Sequence, residues 1–181
     1  MSKVRVKICG ITQPEQGIAI SQMGVDALGF VLYPKSPRYL SPDKIADIID
    51  ILPPFVKTIG VFVNEPINSL VEFMRVSRLD IAQLSGDETG EYCEKANERG
   101  VNWLQTFRVK DAADLDQMAA FPNRHILLDA WSKESYGGTG KSFDWSMLDD
   151  LQGRNKIILA GGLNCDNIDK AIQEVRPYGV D

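Results

Sequence analysis

A chain of 181 residues that is 44% hydrophobic can bury one substantial core but is short for two, so a single domain spanning 1–181 is expected. The net charge of -5 and the lack of any basic run exclude a nucleic-acid or anionic-membrane surface. There is no apolar run of about 18 residues and no basic-then-apolar leader, so the sequence predicts a cytoplasmic protein without a membrane span.

The first stretch, VRVKICGIT at 4–12, alternates. Val4, Val6 and Ile8 fall on one face of a strand and Arg5, Lys7 and Cys9 on the other, with Gly10 ending the run. In a closed parallel barrel the polar face points inward, and Cys9 stands at the carboxyl end of the strand, where such barrels keep their active sites. Thr12 is placed to cap a helix from Pro14 to Met23, stopped by Gly24. Asp26 to Leu32 is a second buried strand. A long loop with Lys35 and Arg38 follows, and Ser41-Pro42 restarts a helix through Leu52. Lys57 to Val63 is the third strand and Pro66 to Ser77 its helix. Ile81 to Leu84 is a short fourth strand, with a helix from Glu91 to Arg99 that Gly100 stops. Asn102 to Val109 and Ala112 to Met118 repeat the unit.

His125 to Asp129 gives a sixth strand and leads into an irregular stretch, Ala130 to Phe143, that holds Gly137, Gly138 and Gly140. Asp144 is placed to cap a helix from Trp145 to about Leu151. Lys156 to Ala160 is the seventh strand, followed by Gly161-Gly162 and a helix from Asp166 to Val175. Tyr178 to Asp181 begins an eighth strand. Strand and helix alternate about every 20 to 30 residues without hairpin signals, so the sheet is parallel. A doubly wound sheet remains open, but eight units in a row favour an α/β fold of the parallel (β/α)8 TIM-barrel type.

Such a barrel collects Cys9, Gln83 to Ser85, Asp129, Gly161-Gly162 and Asp181 at one mouth. Asp129 follows Ile126, Leu127 and Leu128, a dry setting that raises a carboxyl pKa as a general acid needs; it reads equally as a cap for the loop after the strand. Cys9 by itself also reads as a small buried hydrophobe. Lys7 either favours the thiolate of Cys9 or forms an interior ion pair. Gly161-Gly162 lets backbone N–H groups approach an anion at a helix's positive end, or is only a tight connection. Arg38 can pair bidentately with a carboxylate or be solvated. The glycines of 137–140 are hinges of a lid or a turn. His125, four strand residues before Asp129, lies on the opposite rim and reads as structural. Three widely spaced cysteines and one histidine supply too few ligands for a disulfide framework or a zinc cluster, so reduced thiols are expected.

Taken in order, KICGIT at 7–12, KSPR at 35–38, GVFVN at 60–64, QLSG at 83–86, LLD at 127–129, GGTGKSFDW at 137–145 and LAGGLN at 159–164 resemble the phosphoribosylanthranilate isomerase family along nearly the whole chain. The resemblance implies a (β/α)8 barrel that performs an Amadori rearrangement in tryptophan biosynthesis, with a phosphorylated small-molecule substrate, no cofactor, no metal, and a monomer or homodimer. By matching motifs, Asp129 is the general acid and Cys9 the general base. Arg38 holds the anthranilate carboxylate, Gln83 and Asp181 contact the sugar, and Gly161-Gly162 cradles the phosphate.

Two departures carry expectations of their own. The family usually has histidine where Ser85 stands. Its Ser-Ser-Gly-Val-Glu segment and last helix should follow Asp181. A chain cut within the eighth strand is expected to be an incomplete version of a longer one, with an open sheet edge beside the first strand, half its phosphate donors, poor activity and marginal stability. The rival readings are another phosphosugar barrel enzyme and a non-catalytic or weakly active phosphosugar-binding barrel fragment.

Overall fold

The computed structural model describes residues 3–111, 113–116, 118, 125–130, 144–148 and 156–181. The strands are β1 (Arg5–Cys9), β2 (Ala27–Val31), β3 (Lys57–Phe62), β4 (Ile81–Leu84), β5 (Trp103–Val109), β6 (Ile126–Ala130), β7 (Ile157–Leu159) and β8 (Gly179–Val180). The helices are α1 (Pro14–Gln22), α2 (Pro42–Ile49), α3 (Ile67–Ser77), α4 (Gly90–Glu98), α5 (Ala113–Asp116) and α6 (Ile168–Val175), with a 3-10 turn at Trp145–Leu148. The hydrogen-bonded strand order runs from β1 to β8 in sequence and closes as a barrel. Two compact units make up the chain, residues 6–104 and residues 1–5 with 105–181.

In the unit 6–104, β1, β2, β3 and β4 pair in parallel. All five residues of β2 and five of six in β3 are buried, as expected for strands covered on both faces. On β1, Lys7 is buried at 4% exposure while its neighbour Ile8 is 38% exposed; of the polar face only Lys7 is fully buried, since Arg5 is exposed and Cys9 half-buried. Pro42 opens α2 at its first turn, where a missing N–H costs nothing, and Ile45 and Ile48 bury its inner face. Thr12 does not cap α1. The helix begins after Gln13, and the Gln16 side chain turns back to accept from the N–H groups of Thr12 (3.1 Å) and Gln13 (3.2 Å). Gln13, not Thr12, stands at the N-cap, and the Gln16 side chain satisfies its N–H as in a capping box. Thr89 caps α4 by accepting from Tyr92 N–H, and Gly100, at φ 75°, follows its end.

In the second unit, β5, β6, β7 and β8 pair in parallel. Phe107, Leu128, Leu148, Ile157, Leu159 and Val175 pack one buried cluster, joining strands, 3-10 turn and α6. Asp144 accepts from Ser146 N–H at 3.0 Å and so holds the 3-10 turn Trp145–Leu148; the rest of the expected helix lies outside the described residues.

The expected open edge is corrected here. Tyr178 N–H donates to Ile157 O (2.8 Å) and Asp181 N–H to Leu159 O (2.9 Å), while Arg5 N–H donates to Tyr178 O (3.0 Å). Two strand residues and their flanks suffice, because closure needs backbone donors and acceptors on each side and no side chains.

Candidate active site

In the unit 6–104, Cys9 is the last residue of β1, half-buried and outside any disulfide. It lies in register with Gly29 of β2. The chain then turns tightly: Gly10 and Ile11 both donate to Gly29 O, at 2.9 and 3.0 Å. Gly10 takes φ +91°, and a Cβ there would come within 2.6 Å of Arg38 Cδ and Nη1. A missing side chain is therefore what lets Arg38 lie across the end of β1, with Nη1 3.5 Å from Cys9 O. The loop carrying Arg38 is itself tied back, since Leu40 N–H donates to Val31 O at 3.0 Å and Tyr39 bridges Val31.

Gln83, on β4, is 5% exposed and donates through Nε2 to Ser85 Oγ at 3.1 Å. Its carbonyl Oε1 is buried and accepts from no group among the described residues. A buried amide oxygen left without a donor costs free energy unless a ligand or water supplies one. The turn after β4 is held by Glu88, which no motif singled out, together with Asn64 and Gly86 of the quoted motifs. Glu88 accepts from Asn64 N–H (2.7 Å) and Gly86 N–H (2.8 Å), and Asn64, at φ 53°, accepts from Asp87 N–H (2.7 Å). Burial pushes the Glu88 carboxyl above its ordinary pKa, against the pull of those N–H groups. An asparagine just after a strand, which tolerates positive φ, was the available signal.

In the second unit, Asp129 lies within β6, half-buried between Leu128 (0% exposed) and Ala130 (4%). Gly161 presses against it: a Cβ at this position would come within 2.5 Å of Ala130 N and 2.8 Å of Asp129 Oδ1. Gly161 and Gly162 take φ 84° and 67°, which side chains rarely allow. α6 opens at Ile168, two residues later than expected, with a short turn between it and the glycine pair. Asparagines fill the gap. Asn164 and Asn167 donate through Nδ2 to Gly162 O (3.3 and 2.9 Å), and Asn167 Oδ1 accepts from Asn164 N–H (2.8 Å). With its carbonyl held this way, the turn keeps a fixed backbone path. Asp181 directly follows β8. His125, before β6, packs its ring on Tyr178 with centroids 4.1 Å apart, a structural contact. The expected lid at 137–140 lies outside the described residues.

Each unit thus carries its candidate side chains at or near the carboxyl ends of its strands. The fold defines the class as a (β/α)8 barrel with titratable and polar groups at or near its strand ends. Comparison with known proteins gives the family. The model of the family described as N-(5'-phosphoribosyl)anthranilate (PRA) isomerase matches residues 6–181, and the chain belongs to that family. It is 47% identical over 179 residues to the N-(5'-phosphoribosyl)anthranilate isomerase of Trichlorobacter lovleyi, covering 98% of this chain and 86% of that protein. It is 46% identical to the enzyme of the same name from Geobacter sulfurreducens, covering 98% and 86%. The crystal structure of phosphoribosyl anthranilate isomerase from Thermotoga maritima superposes with a TM-score of 0.90 at 40% identity, over 99% of this chain and 87% of that one. The chain spans 86–87% of the length of these relatives. Among the described residues no helix is long and apolar enough to cross a membrane.

Proposed function

We propose that this chain is the isomerase that converts N-(5-phosphoribosyl)anthranilate to 1-(2-carboxyphenylamino)-1-deoxyribulose 5-phosphate in tryptophan biosynthesis. The observation that carries the reading is the family match across residues 6–181. One solved relative, 37% identical, is a complex with reduced 1-(o-carboxyphenylamino)-1-deoxyribulose 5-phosphate, the same skeleton as the proposed product.

The Asp129 carboxyl protonates the ribose ring oxygen. The C1–O bond breaks, and the anthranilate nitrogen lone pair forms the C1=N bond of an iminium. The Cys9 thiolate removes the proton from C2, and the electron pair neutralises the iminium to give an enolamine. C1 then gains a proton as the C2 hydroxyl loses one, which leaves the ketone. Atoms and electrons balance within one substrate, so the chemistry calls for proton donors and acceptors and uses no cofactor or metal. Arg38 pairs with the anthranilate carboxylate, Gln83 and Asp181 contact the sugar, and Gly161-Gly162 binds phosphate. Gln83 Oε1, buried and lacking a donor among the described residues, suits a sugar hydroxyl. The barrel acts as one domain, as a monomer or homodimer, in the cytoplasm and without nucleic acid. A crystal structure 38% identical to this chain is of monomers made from the dimeric isomerase of Thermotoga maritima.

The test is a fluorescence assay with freshly formed phosphoribosylanthranilate and chromatography of the product. Loss of substrate with one equivalent of the ribulose phosphate supports the reading. No turnover above the uncatalysed rate overturns it.

A further inference from the structure

Gly29 sits in β2 beside Cys9, in register with it and flanked by Leu28 and Phe30, both fully buried. Its φ is not among the positive values, so alanine would meet no backbone strain there. What it lacks is room. A Cβ at position 29 would stand 2.7 Å from Cys9 Sγ and 3.1 Å from both its Cα and its Cβ. Non-bonded atoms settle at about 3.5–4.0 Å, so the sulfur would have to move by about 1 Å or change rotamer. Gly29 also accepts the N–H groups of Gly10 and Ile11 on its carbonyl, which fixes the backbone on the far side of Cys9. The cysteine is therefore tethered by its main chain to the same residue whose absent side chain leaves space for its thiol.

We propose that Gly29 is a positioning residue that seats the Cys9 thiol, and that glycine is required there first by the sulfur and not by its own φ. The proposal rests on the reading of Cys9 as the base for its kinetic consequence only.

The substitution is Gly29→Ala. A base displaced by about 1 Å should lower kcat by about 10- to 100-fold while KM stays within about twofold. With substrate absent, alkylation of Cys9 by iodoacetamide, followed by peptide mass, should change in rate by about threefold or more, since access to the thiol has changed. A general loss of structure is separated by a cycle. Gly29→Ala should lower Tm less in a Cys9→Ala background than in the wild type, because the closest clash has gone. Equal Tm losses in both backgrounds, or an unchanged alkylation rate, would overturn the proposal. If Cys9→Ser retains full turnover, the base reading fails instead, while the alkylation and Tm arms still report on Gly29.

Discussion

His125 is the sequence's only histidine, and its imidazole pKa is lowered, first by desolvation and then by the charge of Lys156. The folded chain thus holds its proton less tightly than the unfolded chain, whose value is about 6.5. As pH falls below that point the unfolded state binds more protons, so the contribution to stability is present above about 6.5 and is lost as pH falls through the folded value. Urea titrations at pH 7.5 and 5.5 should show the wild type losing more stability than His125→Gln. Equal losses would mean that the ring titrates alike in both states. Residue types at Cys9, Asp129 and the glycine pair were legible in the sequence, because strand endings and turn glycines are local signals. The seat of Arg38 over Gly10 and the room at Gly29 were not. Each depends on which residue faces which across two strands or a loop, and that register is a non-local fact.

At the level of elements, the turn after β4 carries the clearest demand. Glu88 holds the N–H groups of Asn64 and Gly86, and removing it leaves two donors without their acceptor. Glu88→Ala should destabilise the chain by about 1–3 kcal/mol, the cost of leaving such groups unsatisfied, less whatever water recovers. The desolvation that raises the Glu88 pKa offsets part of this loss. A denaturation midpoint equal to wild type would show the clasp to be incidental. The order and type of the elements could be read from apolar runs and from Pro and Gly punctuation, since β2 and β3 are buried on both faces and so read as continuous apolar strands. Cap identity could not, because Gln13 stands at the N-cap in place of Thr12 and Gln16 reaches back a turn to take the N–H groups of both. The edge left open in the sequence reading fails for a similar reason: β8 bonds through main-chain groups that any sequence supplies.

For the whole molecule, stability rests on the buried apolar strands and helices more than on surface charge. The ion pairs Arg75–Glu72, Arg78–Asp50 and Lys95–Glu91 are exposed on both sides and contribute little in water. Function is a property of the whole chain too, since the proposed acid and base come from strands far apart in sequence, β6 and β1. The family match spans both of them. Cys9 and Asp129 are proposed to move the protons of the rearrangement. The most direct measurement is kcat on phosphoribosylanthranilate for Cys9→Ser and Asp129→Asn, with circular dichroism to verify the fold. Each should fall about 10²- to 10⁴-fold with an unchanged spectrum. A correctly folded variant that turns over at the wild-type rate would contradict the role given to that residue.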